Sequence, residues 1–315
     1  MTSFSATLTQ MAVLFLLIAI GYILAKSGLV PEDSEKTLSK LENNIFLPAL
    51  VLSTFIGNFT VSKLSSMGKL VLISIALQAI ILPLAVFFSR TLAKDRYTRN
   101  IYLYSLCFAN FGFMGNAVVK ALFPQIFTEY TVFTLFMWTM IYLWAIPFLL
   151  MGDGTEKISF KGAVKNLLNP MFFCVIIGMI VGITGIPVPT FVTNLVDTLS
   201  DCMSPIAMLL TGMCIARFNL KEILSVKSVY IVTAIRLFLF PALFIVLAKF
   251  IPMSETARIC AFCAISMPLG LNTVVIPAGY GRDTRIASGM ALVSHLLSCL
   301  TIPIMFALMD FIMKL

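Results

Sequence analysis

Charged side chains are scarce in this chain, because Asp, Glu, Lys and Arg together make up only 11% of its residues. A soluble domain has roughly a quarter of its residues charged, so this composition excludes that class. Histidine is nearly absent, with His295 alone. The seven cysteines show no metal-binding spacing and lie in or beside apolar runs, which indicates packing residues. No nucleophile and base motif is present either, so we expect neither an enzyme nor a bound cofactor.

What the chain has instead is apolar sequence, with 60% hydrophobic residues and a mean hydropathy of +1.01. Crossing a bilayer of ~30 Å takes about 20 residues of helix. The sequence therefore predicts an all-α polytopic membrane protein with ten transmembrane helices, called segments 1 to 10 here. They are residues 1–25, 43–62, 70–89, 100–119, 130–152, 166–186, 202–216, 228–248, 259–281 and 286–309. Segment 7 is the shortest, and it spans only if it takes Asp201 into the membrane.

The basic residues are distributed unevenly between the two sets of loops. Fifteen of the 22 fall in loops that follow odd-numbered segments. The positive-inside rule places these loops in the cytoplasm and both termini outside it. The amino terminus lacks a basic region and a cleavage pattern, so we expect a retained first helix. These features predict an integral protein of a plasma membrane, and the short connection between the halves fits a bacterial inner membrane.

Two stretches interrupt the apolar pattern in a matched way, 156 positions apart: CFANFGFMGNAVVK at 107–120 and CAISMPLGLNTVVI at 263–276. Offsets of 156 to 158 also align Gly28 with Gly185, Pro83 with Pro241, and Gln78 with Arg236. An odd number of segments per copy makes the second copy inverted. We therefore predict a first inverted repeat at 1–152, a cytoplasmic connection at 153–166 and a second repeat at 167–315.

These motifs carry a resemblance to a known family. Asn110 with Met114-Gly115 and Lys120, Ser200-Asp201 with Gly212, and the run 267–270 (MPLG) are similar to the auxin efflux carrier family, which includes the plant PIN carriers. The chain resembles its compact bacterial malonate- or malate-carrier type. The crossover prolines of the plant carriers are replaced by Ala117 and Thr273.

The resemblance implies ten helices in two inverted five-helix repeats, with broken fourth and ninth helices that cross. It also implies a scaffold domain (segments 1, 2, 6 and 7) that forms a homodimer, and a mobile transport domain (segments 3–5 and 8–10). Substrate would move with the transport domain in an elevator mechanism.

Interrupted helices present backbone N–H groups with partial positive charge, which suits an anion. We therefore expect the substrate-binding residues to lie around the two interruptions. The cation Arg236, which lies within segment 8, and its repeat partner Gln78 are added to them. They are Asn110, Gly112, Gly115, Asn116, Pro268, Gly270, Asn272, Thr273, Gln78 and Arg236. For the polar side chains, the alternative is that they only satisfy the backbone of the broken helices. For Arg236, the alternative is a structural ion pair, for example with Asp201, or a side chain that extends to the membrane interface.

The candidates for proton or ion coupling are Asp201, its repeat partner Asn44, and His295. An acidic residue within a span is by default an ion site or a salt-bridge partner. His295 is either a proton relay or a packing residue. Asp197 and Glu42 are expected near membrane interfaces.

These observations favour a secondary transporter of a small organic anion, a mono- or dicarboxylate, with no metal, cofactor or nucleic acid involved. The alternatives are a sodium-coupled symporter of the bile-acid type, and an anion channel or receptor on the same scaffold. Sodium dependence would distinguish the first, and non-saturating conductance the second.

Overall fold

The structure is a computed structural model that describes residues 4–59, 64–150 and 170–314. The predicted connection at 153–166 lies outside the described residues. Within the described ranges the regular elements are all helical. The helices are α1 (Phe4–Lys26), α2 (Ser34–Leu41), α3 (Leu47–Asn58), α4 (Leu64–Leu92), α5 (Arg96–Cys107), α6 (Asn116–Leu122), α7 (Phe127–Met140), α8 (Pro170–Thr184), α9 (Thr190–Ala216), α10 (Leu220–Leu224), α11 (Lys227–Ala234), α12 (Phe240–Phe250), α13 (Glu255–Ser266), α14 (Asn272–Gly279) and α15 (Arg285–Lys314).

Wider π-helical turns continue several of these helices without a break, at Glu42–Phe46, Phe111–Gly115, Ile141–Leu150 and Ile235–Leu239. Pro48 and Pro241 lie two residues beyond the ends of two of them, and Pro147 lies inside a third. Proline has no N–H and its ring clashes with the preceding turn, so a widened turn at this point relieves both problems. The described parts of segments 2, 5 and 8 therefore each combine an α-helical and a π-helical stretch without a break.

Five described helical stretches are long and apolar enough to cross a membrane: 66–92, Pro124–Leu150, Thr190–Ala216, Lys227–Phe250 and Arg285–Met313. Shorter apolar helices cover Met11–Lys26, Phe111–Leu122 and Pro170–Thr184. Large apolar side chains such as Leu72 and Phe173 are 65% and 51% exposed. Such an outer surface suits contact with lipid chains, as expected for a polytopic membrane protein.

Helices α1 and α9 pack with their backbones in contact. Gly21 lies against the carbonyl of Leu209, and Gly212 lies against the backbone of Ile18 and Tyr22. Neither position has room for a Cβ. Small residues allow this close approach, which van der Waals packing then stabilises within a membrane. Helices α8 and α3 pack in the same manner, with Gly178 and Gly182 against Phe55 and Phe59.

We expect Gly212→Ala to separate α1 from α9 and to lower the free energy of unfolding by about 1 to 3 kcal/mol. The matched control is Gly68→Ala in α4, where a Cβ meets nothing within 4 Å. That control gains about 0.5 to 1 kcal/mol from helix propensity. Denaturant unfolding in detergent micelles measures both. Equal effects of the two substitutions would contradict the packing argument.

Helices α1 and α8 both end at a glycine with left-handed backbone, Gly28 (φ 70°) and Gly185 (φ 66°). Only glycine adopts this conformation without steric cost. The two glycines that the internal repeat aligns therefore have the same left-handed backbone conformation.

The prediction that Glu42 lies at a membrane interface is wrong. Its side chain is wholly buried, where an interfacial position had been predicted. The π-helical turn that carries it packs against α9 and α8, which covers it. Neither carboxyl oxygen has a hydrogen-bond partner within the described part of the chain. Asp197 is exposed, and its carboxylate accepts a hydrogen bond from Ser53.

Candidate functional site

The two interruptions meet in the interior. One separates α5 from α6, and the other separates α13 from α14. The N–H of Asn110 donates to the carbonyl of Pro268 at 2.8 Å, and Ala109 and Leu269 form an isolated antiparallel bridge. Gly270 lies against the carbonyl of Phe108, where a Cβ would not fit. Each interruption therefore satisfies part of the backbone that the other leaves unpaired.

Asn110 caps the turn that leads into α6. Its side-chain oxygen accepts the N–H of Met114 at 3.3 Å, and its carbonyl accepts the N–H of Gly115 at 2.9 Å. Its amide nitrogen lies 2.8 Å from Nε2 of His295. The side chain is 1% exposed. These contacts favour satisfaction of the broken helix as the role of Asn110, one of the alternatives left open above.

The other predicted polar residues at the interruptions also bond internally. Asn116 donates to the carbonyl of Gly112 at 2.5 Å, and Asn272 donates to the hydroxyl of Tyr104 at 2.8 Å. Thr273 donates to the carbonyl of Gly270 at 2.8 Å. Asn116 and Asn272 retain 6% and 7% exposure, so both reach the edge of accessible space.

Two glycines let aromatic side chains of α7 approach the first interruption. A Cβ at Gly112 would overlap the ring of Trp138, and one at Gly115 would overlap the hydroxyl of Tyr130. That hydroxyl donates to the carbonyl of Phe111 at 2.9 Å. The glycines therefore serve close packing of the interruption.

Arg236 is the largest fully buried side chain among the residues that the structure describes, at 1% exposure. Its guanidinium donates to three carbonyls, those of Leu106 (3.0 Å), Ala264 (3.1 Å) and Met267 (3.3 Å). These carbonyls lie at the carboxyl ends of α5 and α13, where helix dipoles leave partial negative charge. A cation there is stabilised without a carboxylate, so Arg236 forms no ion pair with Asp201. Its repeat partner Gln78 donates to the carbonyl of Cys107 at 3.2 Å.

His295 is buried, and both of its ring nitrogens have partners. Nδ1 lies 2.8 Å from the carbonyl of Ala291, which can only accept, so Nδ1 carries the proton. Nε2 therefore accepts from the amide of Asn110. This geometry favours the packing role over a proton relay.

A cavity of about 340 Å³ opens beside the first interruption. It lies between α6 on one side and α1, α3 and α9 on the other. Its lining near the middle of α1 includes Leu14, which places the cavity at half the height of that helix. The lining residues are Val13, Leu14, Leu17, Leu50, Asn116, Ala117, Lys120, Ala121, Ser200, Asp201, Ser204 and Pro205.

An ion pair spans this cavity. Nζ of Lys120 on α6 lies 2.7 Å from the carboxylate of Asp201 on α9, with side-chain exposures of 46% and 70%. Ser204 also joins the two sides, because its hydroxyl donates to the carbonyl of Phe113 at 2.9 Å. Of the residues predicted to bind substrate, Asn116 is the one that lines the cavity.

Lys120 was not predicted as a site residue, because it directly follows an apolar run and was assigned to a loop. Its position four residues after Asn116 is the signal that could have found it, since such residues share a helix face. Asn44 is not brought to the cavity. Its side chain is exposed and donates to the carbonyl of Lys40 at 2.8 Å.

A family model described as a membrane transport protein matches residues 6–306. The chain belongs to this family, that of the auxin efflux carriers. Two archaeal relatives align over nearly their whole length. An uncharacterized transporter of Methanocaldococcus jannaschii is 22% identical over 305 residues, which cover 93% of this chain and 95% of the relative. An uncharacterized transporter of Methanothermobacter thermautotrophicus is 22% identical over 306 residues, covering 95% of this chain and 97% of the relative.

The protein is thus a membrane transporter, and its family suggests that it is not an enzyme. A lipid bilayer and a transported small molecule follow as its partners. Among the described residues of the transporter, no group of three or more His, Cys, Asp or Glu side chains is placed to hold a metal ion.

Proposed function

We propose that this transporter is a carrier for a small organic anion, a mono- or dicarboxylate, and that it works by elevator-type alternating access. The observation that carries the proposal is the cavity between α6 and the α1, α3 and α9 wall, where Lys120 supplies a cation and Asn116 an amide. Ligand pockets are commonly of about 300 to 1,000 Å³, with apolar walls and a few polar groups, and this cavity has that character.

The carboxylate of Asp201 stands in this cavity as an internal anion beside Lys120. A substrate carboxylate would replace it in the contact with Lys120. Charge-assisted hydrogen bonds of this kind are about twice as strong as neutral ones, so Lys120 would select for anions. The neighbouring Asn116 would donate to the second carboxylate oxygen once its amide leaves the carbonyl of Gly112.

The carrier proposal includes two inverted repeats, 1–152 and 167–315, whose broken helices cross at the interruptions. Three observations support the repeat. Gly28 and Gly185 share a left-handed conformation, and α1 packs on α9 as α8 packs on α3. Gln78 and Arg236, which align with each other, both donate to carbonyls at the end of α5.

The proposed scaffold of segments 1, 2, 6 and 7 corresponds to α1, α3, α8 and α9, and the proposed transport domain of segments 3–5 and 8–10 corresponds to α4–α7 and α11–α15. Contacts among the scaffold helices join α1 to α9, α3 to α8 and α9 to α3.

We place the protein in a bacterial inner membrane as a homodimer formed through the scaffold, with both termini outside the cytoplasm. The outer face of α8, with Phe173, Ile176 and Ile180 about half exposed, is apolar enough for that contact.

A thermal-shift screen of detergent-purified protein tests the substrate class. The panel holds mono- and dicarboxylates, amino acids and indole acids. A ligand that binds only the folded state stabilises it by about 2.7 kcal/mol at a hundredfold excess over Kd, and this stabilisation raises the midpoint of thermal unfolding. We expect a carboxylate to raise it and Asn116→Ala to weaken that response, because Asn116 lines the cavity. The comparison variant Asn272→Ala tests the predicted second binding residue, which lies outside that lining. Absence of any acid-dependent shift, or a shift unchanged in Asn116→Ala, would refute the assigned site.

Liposome assays separate the carrier from its alternatives. A carrier shows saturable counterflow of labelled substrate, whereas a channel shows conductance that does not saturate. Strict dependence of uptake on sodium would instead favour the symporter of the bile-acid type. Dependence on a proton gradient would direct attention to Asp201, the acidic residue in the cavity.

A further inference from the structure

Helix α2 turns three polar side chains towards the protein interior. Glu35, Ser39 and Glu42 are all buried, and Glu42 is 0% exposed. The backbone continues as a helix from α2 into the π-helical turn that begins at Glu42. Intervals of four and three residues therefore place the three side chains on one helix face, which we call the polar stripe.

The two carboxyl groups of the polar stripe differ in their partners. Glu35 forms an ion pair with Arg217 at the end of α9. Ser39, between the two acids, donates to the carbonyl of Val275 in α14 at 3.0 Å. Glu42 lies farthest along the stripe from Arg217, and neither of its carboxyl oxygens has a hydrogen-bond partner among the described residues.

The helices around Glu42 supply no compensating charge in the part of the chain that the structure describes. The turn that carries Glu42 packs against α2, α3, α8 and α9. Helices α3 and α8 contain no charged residue. The other charged groups of α2 and α9 are exposed or paired elsewhere: Lys36 (with Asp33), Lys40, Asp197 (with Ser53) and Asp201 (with Lys120). The remaining titratable groups on these helices are the thiols of Cys174, Cys202 and Cys214.

An ionised carboxylate at this position would lack what burial of a charge requires. Burial removes the hydration of an ionised group, which takes up a proton unless a cation or several donors compensate it. We infer that Glu42 is a proton-binding site of the transporter. The side chain holds its proton while the polar stripe is covered, and it releases the proton when water reaches the stripe.

The contact between α2 and α14 links this site to movement, and this release step rests on the proposed carrier function. Helix α2 continues through the widened turn into α3 of the proposed scaffold, whereas α14 belongs to the proposed transport domain. Displacement of α14 would break the bond between Ser39 and Val275. Water would then enter from the side of α2, which the charge distribution assigns to the cytoplasm. The O–H bond of Glu42 would break, its proton would pass to this water, and a hydrated carboxylate would remain.

Infrared difference spectroscopy of detergent-purified protein tests the proton site, because a protonated carboxyl group has a carbonyl stretch that a carboxylate lacks. We expect the spectrum of the wild type minus that of Glu42→Gln to show this band at neutral pH. The matched variant Glu35→Gln changes the paired acid of the same stripe and should remove no such band. Glu255→Gln, at an exposed glutamate of α13, is the second control. If Glu42→Gln does not purify as a folded protein, Glu42→Met replaces it.

Three infrared results would overturn the proton site. One is the absence of a difference band between the wild type and the Glu42 variant. Another is an equal loss of the band in Glu35→Gln, which would show that the signal does not belong to Glu42. The third is a band that appears only after sodium and potassium are removed, which would assign Glu42 to a metal cation.

The pH profile of substrate counterflow in liposomes tests the release step separately. Release of one proton changes an equilibrium by up to tenfold per pH unit. We expect the wild type and Glu255→Gln to depend on pH within this limit, and Glu42→Gln to lose the dependence. Equal profiles of the wild type and Glu42→Gln would refute the release step and leave the carrier function standing. If no substrate shows counterflow, the carrier function and the release step fail together, while the infrared spectra still decide the proton site.

Discussion

Replacing Arg236 by methionine is expected to destabilise the transporter by about 3 to 5 kcal/mol, the largest stability effect that the structure predicts. Methionine is an apolar side chain without hydrogen-bond donors, so the buried carbonyls of Leu106, Ala264 and Met267 lose their partner. An unsatisfied buried acceptor costs about 1 to 3 kcal/mol. The thermal midpoint in detergent should fall by about 10 °C or more.

Arg285→Met is the matched control, because the same change is made at a side chain that is 55% exposed. It should alter stability by less than about 0.5 kcal/mol. Arg236→Lys should lie between the two, since an ammonium cannot reach three carbonyls at once with the geometry of a guanidinium. A midpoint for Arg236→Met within about 2 °C of the control would contradict this prediction.

Lys120→Gln is expected to reduce substrate affinity and transport by about 10- to 100-fold, because a charge-assisted contact contributes about 1.5 to 3 kcal/mol. Stability should hardly change, since an exposed ion pair contributes about 1 kcal/mol or less. Asp201→Asn should have the opposite effect and lower KM several-fold, because it removes the internal anion that competes for Lys120. Initial rates of counterflow in liposomes measure both variants.

The double variant Lys120→Gln, Asp201→Asn should behave as Lys120→Gln alone, since Asp201 would act only through the lysine. The control is Lys69→Gln, an exposed cation at the start of α4 and outside the cavity, which should transport normally. If Asp201→Asn instead impairs transport as severely as Lys120→Gln, the aspartate takes part in coupling or in substrate binding, and the competition argument fails.

Hydropathy predicted the helical class in two steps. A chain with so few charges belongs in a bilayer, and in a bilayer a helix satisfies every backbone hydrogen bond within its own segment. Hydropathy did not predict the widened turns at Glu42–Phe46 and Ile235–Leu239, since an extra residue in a turn shifts which side chains share a helix face but does not change the length or apolar content of the run. The prolines after them, Pro48 and Pro241, hinted at a bend without specifying its form. Burial of Glu42 also escaped prediction, because it depends on how the π-helical turn packs against α9.

The candidate site was partly predictable. Glycines and asparagines marked the interruptions because they are unfavourable inside a helix and therefore need a reason. The contact between Asn110 and His295 joins residues 185 positions apart, and no spacing rule connects them. The partners of Arg236 are backbone carbonyls, which every residue carries, so side-chain chemistry gave no indication of them. Whether the predicted residues touch substrate stays a prediction.

The glycine contacts between α1 and α9 have a mechanical meaning for the cavity. Helices whose backbones touch at Gly21 and Gly212 cannot slide or rotate past each other without steric overlap. The wall that carries Leu14 and Asp201 is therefore stiff, and the opposite wall, α6, is held to it through side-chain contacts that can exchange partners. In the proposed carrier, we therefore expect access to the cavity to change by displacement of the α6 wall, which would carry the cationic group relative to a stationary carboxylate.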